Sequence, residues 1–154
     1  MQIFIFVLMS LLTTSNKPLQ IDFGQKKDGQ DWRVIDDGVM GGLSEGRVNF
    51  EKDAVSYKGE VSLENNGGFS SFRSPYQDFY LSNYEKVVIR LKSKGQVLAL
   101  TMSMDRRWYM PYFKQQIQVE SEDWEVVELS LSEFSAYRIG QKLDRKFSTD
   151  DAKD

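Results

Sequence analysis

The chain has 154 residues and a formal net charge of −3, enough for one domain that buries roughly 68–70% of the surface its unfolded form exposes. It contains no histidine and no cysteine, which excludes imidazole general bases, thiolate nucleophiles, the usual zinc ligands and disulfides; any catalysis rests on carboxylates, hydroxyls, lysine or arginine. The acidic balance supplies no concentrated basic face for phosphates, so no nucleic-acid partner is expected, and the missing cysteines fit either redox compartment.

Residues Ile3 to Leu12 read IFIFVLMSLL, an apolar run interrupted at Ser10. The run is too short for a membrane-spanning helix, which needs about 20 residues, and has the length of a signal-peptide core. Thr13 and Ser15 occupy the −3 and −1 positions of a cut after Ser15, although no Lys or Arg precedes the run. Residues 1–15 are expected as an export signal, giving a periplasmic or secreted mature chain without a transmembrane segment. The competing reading is a buried first strand in a cytoplasmic protein.

From Leu19 the text reads as strands. Leu19, Ile21 and Phe23 alternate with polar residues, the period of a half-buried strand, and Asp31 to Ile35 resumes it after a polar loop. Arg47 to Phe50 is a short alternating piece, and Glu51-Lys52-Asp53 is a turn. Ala54 to Leu63 is a longer strand with Val55, Tyr57, Val61 and Leu63 on one face. Asn65-Asn66-Gly67-Gly68 reads as a hairpin turn, with Phe69 to Arg73 as the partner strand. Pro75 to Asn83 is a loop. Tyr84 to Lys92 is a strand, Val97 to Leu100 a strand buried on both faces or nearly so, and alternation runs through Ile117 and Val119. Trp124 to Leu129 is a strand with acidic residues outward, and Ser132-Glu133-Phe134 a turn. Residues 141–154 form a polar, charged tail with too few apolar residues to fold alone. Strands at intervals of 8–12 residues between turn signals, with no sustained helical period, predict an all-β antiparallel sandwich over residues 19–140.

Two glycine-rich segments organise the chain: Asp36 to Gly46, DDGVMGGLSEG, and Glu64 to Ser74, ENNGGFSSFRS. They hold six of the eleven glycines, residues placed where the backbone needs positive φ or the close approach of another group. Nucleotide binding does not follow from Gly38, Gly41 and Gly42: a phosphate loop needs Lys-Ser/Thr after its last glycine, and a dinucleotide fingerprint needs a helix there. Asp36 and Asp37 have the chemistry for calcium, but the EF-hand spacing is absent. The same pair, or Glu60 with Glu64, has the chemistry of a glycosidase acid and base, which requires carboxyls about 5–9.5 Å apart. Trp108, Tyr109, Tyr112 and Phe113 suit a sugar-stacking groove, though packing is the commoner fate of such rings. Arg73 is placed to pair with Asp36 or Asp37 and fix one glycine segment against the other.

The order DWRVIDDGVMGGLSEG, a strand, then GEVSLENNGGFSSFRS resembles the complex I intermediate-associated protein 30 family. The likeness runs from about Ile21 to Gly140 and includes the W-x-x-V-x-L-x-L-S-x-F element at Trp124 to Phe134. It implies a jelly-roll sandwich of the galactose-binding type. It also implies a non-catalytic role: mitochondrial relatives are chaperones that assist assembly of NADH:ubiquinone oxidoreductase; no cofactor or metal is expected. Measured against the family pattern the chain looks shortened by one or two strands at its C-terminus. The leading expectation is a protein-binding module acting through Asp36, Asp37, Gly38, Met40, Gly41, Gly42, Ser44, Asn65, Asn66, Gly67, Gly68, Phe69, Ser70 and Arg73. The alternative is a carbohydrate-binding module of an exported protein.

Overall fold

The computed structural model describes residues 3–8, 18–94, 97–119 and 122–152. In chain order the strands are β1 (Ile3–Leu8), β2 (Gln20–Ile21), β3 (Arg33–Asp36), β4 (Glu45–Phe50), β5 (Val55–Glu60), β6 (Ser70–Arg73), β7 (Lys86–Lys92), β8 (Leu98–Ser103), β9 (Tyr112–Ile117), β10 (Glu125–Ser130), β11 (Ser135–Arg138) and β12 (Gln141–Lys146). The helical turns among the described residues are 3-10 turns of three or four residues, and the strand pairs are antiparallel. The protein is an all-β sandwich, as its period-two pattern predicts.

One sheet runs β10-β7-β1-β5-β4, with β2 hydrogen-bonded to β1; the second runs β12-β11-β9-β8; β3 and β6 form a separate pair. Alternation decides what faces inward. Val87, Ile89 and Leu91 of β7 and Leu129 of β10 meet Phe113 and Ile117 of β9 and Ala136 of β11, with Leu131, Phe134 and Phe147 closing the same core. Removing each large side chain from water is worth about 1.5–3 kcal/mol. A smaller aromatic cluster ties the β3–β6 pair to β5: Phe23 meets Trp32 edge-on at 5.1 Å, and Phe72 lies 5.2 Å from Trp32 and 6.3 Å from Tyr57.

The fold departs from the sequence reading in four places. Asn65 to Gly68 does not close a hairpin between β5 and β6. The neighbours of β5 are β4 and β1, and β6 crosses over to pair with β3, Asp36 opposite Ser70 and Arg33 opposite Arg73. Strand β5 ends at Glu60, so Val61 and Leu63 leave its inward phase and are exposed. Strand β8 is not buried on both faces; pairing only with β9 among the described residues, it alternates half-buried Leu98, Leu100 and Met102 with exposed Ala99, Thr101 and Ser103. The charged stretch after Gly140 is not a free tail. It makes β12 on β11 and places Phe147 in the core, where its ring meets Phe113 edge-on at 5.2 Å and its N–H donates to the Phe134 carbonyl at 2.8 Å.

The segment read as an export signal overlaps β1, which pairs with both β5 and β7. The cut expected after Ser15 lies outside the described residues.

Candidate functional site: two glycine loops pinned by a buried aspartate

Asp37 is fully buried at the start of the 3-10 turn that follows β3. A buried carboxylate is tolerated only when donors replace its lost water, and this one receives four. The Ser44 N–H donates to Oδ1 at 2.9 Å; the Ser44 hydroxyl at 2.5 Å, the Gly68 N–H at 2.6 Å and the Phe69 N–H at 3.2 Å all donate to Oδ2. The backbone closes the same joint, with the Asp37 N–H on the Phe69 carbonyl at 3.3 Å and the Gly42 N–H on the Asp37 carbonyl at 3.1 Å. One side chain therefore holds the first glycine loop in shape and staples the second to it. The Ser44 hydroxyl, its proton given to the carboxylate, accepts the Ser62 N–H at 3.0 Å and draws the chain after β5 into the cluster.

The hydrogen bond from the Ser44 hydroxyl pulls the Asp37 carboxyl down from 3.8 to about 2 against burial, which pushes it up; the N–H groups of Gly68, Ser44 and Phe69 add to the lowering. The carboxylate is thus ionised at neutral pH and faced by donors. A cation would have to displace those donors to reach its oxygens, so the geometry serves a structural anchor better than a calcium ligand.

The glycines beside this anchor are dictated by space. A Cβ on Gly42 would stand 2.2 Å from the Asp37 Oδ1, and one on Gly67 would stand 2.7 Å from Oδ2. Gly38 differs: a Cβ there meets nothing within 4 Å. Asn65, in the 3-10 turn Glu64–Asn66, has φ 54°, a left-handed conformation that asparagine tolerates.

Asp36 performs a second, separate task. Its Oδ2 accepts the Gly46 N–H at 3.0 Å and its Oδ1 the hydroxyl of Ser70. Because that proton is committed to Asp36, the Tyr57 hydroxyl donates to Ser70, which links β5, β6 and β3 in one relay. Burial pushes the Tyr57 phenol upward, the Ser70 hydrogen bond works against it, and the Asp36 charge adds to the rise.

Arg73 does not make the ion pair expected with Asp36 or Asp37. Its Nε donates to the Ser71 hydroxyl at 2.8 Å and its guanidinium lies over the Phe69 ring at 5.8 Å. The four aromatics around Pro111 also separate: Phe113 is buried in the core, whereas Trp108 is 78% exposed and meets Tyr109 edge-on at 5.9 Å.

The pinned loops carry a feature absent from the sequence reading. Val39 (80% exposed), Met40 (62%) and Leu43 (56%) project from the first loop, and Val61 (50%) and Leu63 (81%) from the chain drawn in by Ser44. Only Met40 was expected at the site. Large apolar residues that a rigid scaffold holds in solvent together mark an interaction surface more often than chance exposure. The sequence signal was their position: Val39, Met40 and Leu43 sit among closely spaced glycines, in a stretch without the period-two alternation that would turn them inward.

No helix among the described residues is long and apolar enough to cross a membrane. The family model described as complex I intermediate-associated protein 30 matches residues 21–153. That span takes in both glycine loops, the β3–β6 pair and β12. Neither a curated protein nor a solved structure matches the chain.

Proposed function

Because the chain belongs to the complex I intermediate-associated protein 30 family, we propose that it is a non-catalytic assembly factor whose Asp37-pinned rim binds a protein partner within the respiratory NADH dehydrogenase pathway. The observation that carries this reading is the apolar rim itself. Five large side chains stand in water on loops fixed by a buried carboxylate, so the loss of loop freedom on binding, ordinarily a cost of association, has already been met in folding.

The test is co-purification with identification of the captured subunits. Met40→Glu and Leu63→Glu place charge on exposed side chains and are expected to leave the melting temperature within about 2 °C. They reduce capture of NADH:ubiquinone oxidoreductase subunits at least about tenfold, the loss of roughly 1.4 kcal/mol of contact. Undiminished capture would remove the rim from the interface; capture of no subunit of that complex by the wild-type chain would remove the assembly role.

The carbohydrate-binding reading draws on one observation, the exposed Trp108 ring with Tyr109 at its edge. A glycan array showing retention lost in Trp108→Ala supports it, and no retention ends it.

Export is the reading of residues 1–15 we carry forward, and it separates cleanly from a role for β1 in the mature fold. Sequencing the mature protein is expected to give an N-terminus at Asn16. A start at Met1 or Gln2 would leave Ile3–Leu8 as a permanent strand and end the export reading.

A further inference from the structure

The four-stranded sheet has an outer face that neither the core nor the pinned rim uses. Phe113 and Ala136 point into the core, so their neighbours on β9 and β11 point away from it. The registers align Ser103, Tyr112, Tyr137 and Lys142 in one row across the sheet, and Thr101, Lys114 and Ser135 in the next.

Charge on this sheet is lopsided. Its strands hold five cations, Lys114, Arg138, Lys142, Arg145 and Lys146, and a single carboxylate, Asp144, in a chain with 20 cations and 23 acids. Lys146 is neutralised by Glu133 at 2.6 Å and Arg145 by Asp151. Lys114 and Lys142 form no ion pair among the described residues.

The aromatic faces on this surface are already taken. Tyr112 stacks on Tyr137 at 5.9 Å with the planes 20° apart, and the Lys114 ammonium sits 4.1 Å from the Tyr137 ring centre. Rings engaged this way have little face to offer a nucleobase or a sugar, which bind by stacking. Cations and phenolic O–H groups remain, and they are hydrogen-bond donors. Donors in a row on a flat sheet fit carboxylates spaced along an extended chain.

We propose that this outer face docks an acidic peptide segment of a protein partner, its carboxylates received by Lys114 and Lys142 and by the Tyr112 hydroxyl.

The probe is a fluorescein-labelled oligo-glutamate peptide titrated with the full chain and read by anisotropy at low and at near-physiological salt. The wild-type chain is expected to bind at low salt and to weaken as salt screens the exposed charges. The double variant Lys114→Glu/Lys142→Glu is expected to lose at least about tenfold in affinity. Lys58→Glu, the same charge change on an exposed lysine of β5, is expected to stay within about twofold. If the double variant fails to fold, as judged by its melting curve, Lys142→Glu alone on the exposed β12 position provides the reading, with an expected loss of about threefold. Absence of binding at low salt, an equal loss in Lys58→Glu, or a single-stranded oligonucleotide that binds as tightly with the same dependence on Lys114 and Lys142 would each overturn the proposal.

Discussion

Replacing Asp37 with asparagine is expected to lower the melting temperature by roughly 10 °C, the range for breaking a buried hydrogen-bond network in a domain of this size. The change preserves shape almost atom for atom. What it reverses is the sense of the hydrogen bonds: the carboxylate accepts four donors, and an amide nitrogen must turn N–H groups toward at least one of them. Gly42→Ala is expected to produce a similar loss by a different route, driving a methyl into the same carboxylate, while Gly38→Ala is expected to change little because its space is open.

The pH dependence distinguishes the charge from the packing. The Asp37 carboxyl is lowered to about 2 in the folded chain from 3.8, so between those values the unfolded chain binds more protons. Its contribution to stability is therefore fully present above about pH 4 and is lost as pH falls toward 2. The asparagine variant lacks that titration, and its melting temperature is expected to decline less steeply across the same window. Asp105, also lowered to about 2 by the Arg107 side chain and N–H, titrates there too, and Asp105→Asn on its exposed turn measures that share. An asparagine variant as steep as the wild type would show that Asp37 does not supply the acid sensitivity.

Phe147→Ala is the second large effect. Truncating a buried phenylalanine costs about 3–5 kcal/mol, from lost transfer free energy and the cavity left behind, which corresponds to a fall in melting temperature of roughly 10–15 °C. Phe147 is 5% exposed and packs on Phe113. A fall of less than about 2 °C in a thermal melt would return residues 141–152 to the status of a dispensable tail.

That tail shows why part of this fold was hidden in the sequence. Leu143 and Phe147 are the large apolar residues in QKLDRKFSTDDA, too few to signal a strand; β12 forms because β11 offers an edge to pair with, and no local pattern records a neighbour. The same gap explains β6. Alternation in Ser70–Arg73 marks extended chain but not which strand it joins, and the turn residues before it fit a hairpin as well as a crossover. Where one face of a strand is buried by a partner already in place, as at β9, the alternation read through Ile117 falls on a residue that the core buries.

At the site, the two glycine loops and their mutual attachment were legible, and the attachment point was not. Asp36 and Asp37 are the same residue type in adjacent positions, yet one caps the Tyr57–Ser70 relay and the other disappears into the interior. The clue lay in Gly42, in the same segment, and Gly67, in the other, which both leave room for the one Asp37 side chain.

Strand β8 carries no charged residue from Leu98 to Ser103 and pairs on one side only among the described residues. Natural sheets guard such margins with lysine, proline or a bulge. An unguarded margin of this composition is where molecules zip together into insoluble arrays when concentrated, so a lysine at Thr101 would act as a gatekeeper and lengthen the shelf life of stock solutions.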